Sequence, residues 1–188
     1  MSKHDSQPSL ASSQDLAFEE FQAEVLADYR LALMSREASL LGRKEVLTGK
    51  AKFGIFGDGK ELAQIALAKH FREGDFRSGY YRDQTWMMAI GALSLEAYFS
   101  GLYAHTDVTV EPQSAGRQMG GHFATRNLDD HGKWKNLTQQ KNSSSDISPT
   151  AGQMPRLLGL ALASKLYRNN PLLQSPSFEG FSIQGNEV

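Results

Sequence analysis

From Leu16 onward, large apolar residues recur at three- and four-residue steps: Phe18, Phe21, Val25, Leu26, Tyr29, Leu33 and Leu40. That spacing predicts one long helix with a single buried stripe. Asp15 is placed to cap its first turn, and Thr48 with Gly49 supplies a stop. After a glycine-rich turn at 51–61 the period returns, and Leu62, Ile65, Ala66 and Lys69 predict a second helix over 61–71. EGDFRSGYYRDQ (73–84) reads as a turn leading into a short aromatic strand. A helical passage follows from Thr85 to Ile90, and another opens at Ser94, where Ser94 and Glu96 suit an N-terminal turn. Residues 108–149 are polar and irregular, a length of loop that usually carries function. LLGLALASKLY (157–167) is the last helix, with Pro155 tolerated only in a first turn.

The ends read differently. Residues 1–15 are polar, a disordered lead-in; 171–188 are loop-like and close on Gly185, Asn186, Glu187 and Val188. There is no internal repeat. No run of Val and Ile reads as a buried strand, yet one-faced helices of this kind cover a sheet. The expectation is therefore a truncated protein, its helices and loops present and the sheet they should cover missing.

Composition narrows the classes. In 188 residues there are 20 Lys+Arg against 21 Asp+Glu, giving a net charge of −1, and no cysteine. Bulk electrostatic attraction to nucleic acid or anionic membrane is excluded, as are disulfides, thiolate metal sites and a cysteine nucleophile. No apolar run approaches the ~20 residues of a membrane helix, and the N-terminus has no secretory core. The expected setting is soluble and cytoplasmic.

Two stretches come close to known chemistry. Gly54 to Glu61 almost spells a phosphate-binding loop, but Glu61 replaces the hydroxyl that would ligate magnesium. A carboxylate there would repel phosphate by ~4 kcal/mol at 4 Å and an effective dielectric of 20. A glycine turn entering a helix is the better account. The tract NSSSD (142–146) lacks a nucleophile elbow and reads as a solvated loop. The five histidines form no metal-like spacing; His122, beside Gly120 and Gly121 in the long loop, is the one worth weighing.

Three segments in order carry a specific signal: GYYRDQ (79–84), GRQMGGH (116–122) and SPTAGQMPRLLGLALASK (148–165). Together they resemble the alpha part of a thiamine-diphosphate-dependent 2-oxoacid dehydrogenase, over roughly 25–188. GRQM followed by x-x-His is closest to the branched-chain type, and the style is that of bacterial chains with fused alpha and beta parts. The resemblance implies a thiamine-diphosphate-binding α/β fold in the parent protein, of which 16–188 is a truncated N-terminal portion, mostly helices and loops, with most of the parallel sheet missing. It implies that Tyr81 and Arg82 hold the coenzyme's diphosphate, a guanidinium forking onto phosphate oxygens beside a neutral donor. An Arg82–Asp83 surface pair is the plain alternative. Ser148 and Thr150 match positions whose backbone meets the aminopyrimidine, and Pro149 stiffens that turn. His122 matches a loop histidine at the active-site mouth, the candidate catalytic residue, and Glu61 a structural glutamate opening a helix.

Departures accompany the match. Thr150 replaces a leucine of the branched-chain substrate pocket, and Ile147 and Gly152 replace the hydroxyls of a potassium site, though Gln153 remains. Ile55 stands where the pyruvate type tends to have histidine. Gly57, Asp58 and Gly59 have no Asn-Asn partner at family spacing, so the magnesium ligands are expected beyond residue 188. The implied function is oxidative decarboxylation of a 2-oxoacid, branched-chain substrates such as 3-methyl-2-oxobutanoate favoured over pyruvate, with acyl transfer to lipoamide. The implied partners are the beta part, fused or separate, and a dihydrolipoyl acyltransferase core, in an oligomer; the 188 residues alone are expected to be inactive. A non-catalytic helical interaction module and a phosphate-loop nucleotide-binding protein are the alternatives.

Overall fold

The computed structural model describes residues 17–118 and 120–181. The lead-in 1–15 with the expected cap Asp15, Met119 of the GRQMGGH segment and the 182–188 end lie outside the described residues.

Helix α1 (Phe18–Leu47) stops at Thr48, as its pattern predicts. It does not bury the expected stripe. Phe18, Phe21, Val25, Leu26, Tyr29, Leu33 and Leu40 are all exposed, Phe18 by 72%. The buried positions are Ser35, Ala38, Ser39, Gly42 and Glu45. Small side chains win there because other elements come close. Ser35 and Thr85 share a hydroxyl hydrogen bond of 2.6 Å, Gln84 Nε2 donates to Ser39 Oγ at 2.7 Å, and the Phe56 ring fills the space a side chain at 42 would need. Hydroxyls bonded in this way can be buried without penalty. Leu31 and Met34, on the same side of α1, pack against the core of Met87, Met88, Leu93 and Phe123.

Helix α2 (Glu61–His70) buries Glu61, Gln64, Ile65 and Ala68, so Ile65 faces inward while Leu62, Ala66 and Lys69 of the expected stripe face out. Helix α3 (Gln84–Ala89) and helix α4 (Leu95–Leu102) fall where the pattern places them. Ser94 caps α4, its hydroxyl oxygen accepting the Ala97 N–H at 3.1 Å. Helix α5 (Gln153–Asn169) begins ahead of the expected 157, with Pro155 in its first turn. Short 3-10 turns at Pro171–Gln174 and Pro176–Phe178 occupy the stretch read as loop.

The expected strand β1 (Phe76–Tyr80) is present. Its partner is a correction to the sequence reading: NSSSD, read as solvated loop, lies in strand β2 (Asn142–Ile147), parallel to β1. No apolar alternation announces it. Its burial rests on hydrogen bonds instead: Asn142 Nδ2 donates to the Leu137 carbonyl at 2.7 Å, Ser144 Oγ to the Arg77 carbonyl at 3.0 Å, and Ser143 Oγ accepts from Arg77 at 2.6 Å. Helix α5 is tied to β1 where Ser78 Oγ donates to the Gln153 carbonyl at 3.0 Å. The described residues thus form a mixed, largely helical unit with a two-stranded parallel sheet. Among them, no helix is long and apolar enough to cross a membrane.

Candidate functional site

Tyr80 pairs with Ile147 across the sheet, so the residues that follow each strand leave from neighbouring ends. The carboxyl ends of parallel strands are where open α/β sheets hold ligands. After β1 the chain turns at once. The Asp83 N–H donates to the Tyr80 carbonyl at 2.9 Å, and the Tyr80 N–H donates to Asp83 Oδ2 at 3.0 Å. Tyr81 and Arg82 are left at the tip. The guanidinium carbon of Arg82 lies 5.4 Å over the Tyr81 ring, and its Nε is buried with no hydrogen-bond partner among the described residues. The plain Arg82–Asp83 pair does not form; Asp83 takes Arg77 Nη2 at 2.6 Å.

After β2 the 148–150 bend closes with the Gly152 N–H on the Pro149 carbonyl at 3.0 Å. Ala151 sits at φ 62, a left-handed conformation that costs a non-glycine about 1–2 kcal/mol. Strain of this kind gathers at functional sites. Thr150 reaches the Tyr80 phenol: the hydroxyls of Tyr81 and then Thr150 hold that phenol below the ordinary tyrosine range, while the Tyr80 hydroxyl and burial push Tyr81 above it.

The glycine-rich loop completes the site. A side chain at Gly121 would fall 2.4 Å from the Tyr81 carbonyl, so only glycine lets the loop lie on the turn. His122 Nδ1 is 2.7 Å from the Gly120 carbonyl, which can only accept, so this nitrogen carries the hydrogen. In the neutral ring Nε2 then accepts from the Ser148 hydroxyl. The imidazole also stacks on Tyr81, with 6.2 Å between centroids. Phe53, Ile55, Tyr81, Gly120, His122 and Ser148 line one cleft of about 150 Å³.

Of the residues singled out from the sequence, Tyr81, His122 and Ser148 therefore share a cleft, Arg82 stacks on its wall, and Thr150 is tied to it through Tyr80. Glu61 stands at the start of α2, held by Arg36 at 3.0 Å and by the Gly59 N–H at 3.0 Å. Burial alone would raise its carboxyl, but Arg36 and the backbone donors bring it below the usual range. These bonds also dispose of the phosphate-loop alternative. Gly59 donates to Glu61, Gly57 donates to Gln84 Oε1 at 3.3 Å, and neither N–H is left to cradle a phosphate. Phe53, Arg77 and Asp146 went unread in the sequence. Arg77 and Asp146 left one trace, Gly79, on the same strand face as Arg77.

No family model matches the chain. The 2-oxoisovalerate dehydrogenase subunit alpha of Bacillus subtilis (strain 168) is 32% identical over 169 residues, 87% of this chain. The chain is a relative of the branched-chain 2-oxoacid dehydrogenase alpha subunits. It spans 44% of that relative's length.

Proposed function

We propose that this chain belongs to the decarboxylating component of a 2-oxoacid dehydrogenase, and that its cleft binds thiamine diphosphate in the assembled protein. One observation carries the reading: two backbone bends from adjacent parallel strands face a common cleft, with a stacked arginine whose buried Nε is unpartnered on one of them. A guanidinium with spare donors beside a phenol suits a diphosphate. We assign Tyr81 and Arg82 to the diphosphate, the backbone at Ser148 and Thr150 to the aminopyrimidine, and the fold of the parent to the thiamine-diphosphate-binding class.

When bound, the coenzyme supplies the electron sink that decarboxylation of a 2-oxoacid needs. The chain's own residues do the rest of what can be derived. Arg82 neutralises one of several negative charges on the diphosphate, so magnesium is required beside it. We place its ligands beyond residue 188. Phe53 and Ile55 give the cleft an apolar wall. His122 holds the Ser148 hydroxyl at Nε2, and its Nδ1 bond to the Gly120 carbonyl keeps Nε2 at the cleft, where it can take a proton relayed through that hydroxyl. The apolar wall and the relative's name favour a branched-chain 2-oxoacid over pyruvate. We assign acyl transfer to lipoamide on a dihydrolipoyl acyltransferase core, with the beta part as partner.

The test is titration calorimetry with thiamine diphosphate and magnesium on the chain assembled with its beta part, followed by carbon dioxide release from 3-methyl-2-oxobutanoate and from pyruvate. Arg82→Ala is expected to weaken the coenzyme by about 10- to 100-fold, the worth of a charge-assisted hydrogen bond. Wild-type protein that ignores the coenzyme, or an Arg82→Ala variant that binds it undiminished, would falsify the assignment.

A further inference from the structure

Beneath the cleft lies buried charge that no binding contact uses. Arg77 on β1 is 5% exposed, yet its guanidinium reaches Asp83 Oδ2 at 2.6 Å, Ser143 Oγ at 2.6 Å and Asp146 Oδ1 at 3.0 Å, and lies 5.6 Å over the Trp86 ring. Two features of the backbone make room for it. A side chain at Gly79 would fall 1.8 Å from Arg77 Nη2 and 2.4 Å from Asp146 Oδ1. Opposite Gly79, β1 advances from Ser78 to Tyr80 while β2 advances from Ser144 to Ile147, one residue more. That bulge turns Ser145 outward and Asp146 in.

Burying a cation between two acids is a poor route to stability, because desolvation offsets the attraction. What the arrangement does achieve is spacing. Asp83 directly follows Arg82 and closes the turn that carries Tyr81 and Arg82 by accepting the Tyr80 N–H. Asp146 stands two residues before Ser148. A single guanidinium therefore holds the root of each bend.

We propose that Arg77 is a positioning residue: with Asp83 and Asp146 it forms a strut that sets the distance between the Tyr81–Arg82 turn and the 148–150 bend, and so tunes the cleft to a ligand long enough to engage both. The proposal rests on the coenzyme assignment above. Its signature is a difference between a two-ended ligand and a one-ended one. Thiamine diphosphate spans both bends, whereas inorganic pyrophosphate touches only the Arg82 end.

The experiment compares the two ligands, each with magnesium, by calorimetry on the assembled protein. Arg77→Lys keeps the charge but loses the fork that serves two carboxylates; it is expected to weaken thiamine diphosphate about tenfold and pyrophosphate less than about twofold. Asp146→Asn, which changes charge but not shape, shows the same selectivity more weakly and carries the test if Arg77→Lys does not fold. Equal losses for both ligands, or none for either, overturn the strut while leaving the coenzyme site intact. A wild-type protein that takes up pyrophosphate but not thiamine diphosphate overturns the coenzyme assignment and the strut together.

Discussion

The α3–β1–β2 region and the outer faces of α1 and α5 invert the usual distribution of side chains. In the first, Gln84, Thr85, Arg77, Asn142, Ser143 and Asp146 are buried. On the second, Phe18, Leu33, Leu158 and Leu162 are exposed, and α5 buries no residue at all. Most groups of the polar interior have hydrogen-bonding partners, while the Asp146 carboxylate has the Arg77 ion pair alone; the apolar exterior has nothing described against it. Polarity by itself decides little here, and hydrogen-bond satisfaction and shape decide more.

The sharpest break of that contrast is Gln84→Ala. Gln84 accepts from the Gly57 N–H and donates to the Ser35 carbonyl and Ser39 Oγ. Its loss strands buried partners and costs about 3 kcal/mol, a fall of roughly 10 °C in thermal midpoint for a domain of this size. An unchanged midpoint would mean the polar interior contributes nothing to stability.

Glu111 is the next largest. It accepts the N–H groups of Gln113, Ser114 and Gly116 at 3.0, 2.8 and 3.0 Å, and the Ser114 hydroxyl. Burial raises its carboxyl, but these donors outweigh it and bring it below the usual range. Because the folded value is depressed, its contribution is complete above the unfolded value of about 4.3 and is lost as pH falls through the folded one. Glu111→Gln should cost about 2 kcal/mol near neutral pH. The gap to wild type should close in acid; a gap constant from pH 3 to 7 contradicts the assignment.

Asp146 has the opposite sign. Burial pushes its carboxyl up to about 7 against the pull of Arg77. Folded protein then binds more protons than unfolded between about pH 4 and 7, so this residue's share of stability declines as pH rises across that window. Asp146→Asn should flatten that slope, as read from denaturant midpoints against pH.

The smallest effect is expected outside. Leu158 is 73% exposed, and Leu158→Lys should change stability by no more than about 0.5 kcal/mol. In the 188-residue chain it should nevertheless reduce the binding of an apolar-surface dye and concentration-dependent association. Wild-type chain that sediments as a monomer and binds no dye would remove the contrast between the two regions.

Much of this was legible before any coordinates. Helix positions followed from three- and four-residue spacing, the Ser94 cap from residue type, and the cleft residues Tyr81, His122 and Ser148 from three ordered segments. The buried face of α1 was not legible. Phe18 to Leu40 and Leu31 to Glu45 both keep helical spacing, and spacing cannot tell which face meets a neighbour. Nor was β2, since a strand of Asn, Ser and Asp has no hydrophobic period to read. Local chemistry along the chain determined where the helices form and how they are capped. Only tertiary packing decided that serines and an ion pair go inside while leucines stay out, because burying a polar group depends on partners distant in sequence, such as Arg77 with Ser143 and Asp146.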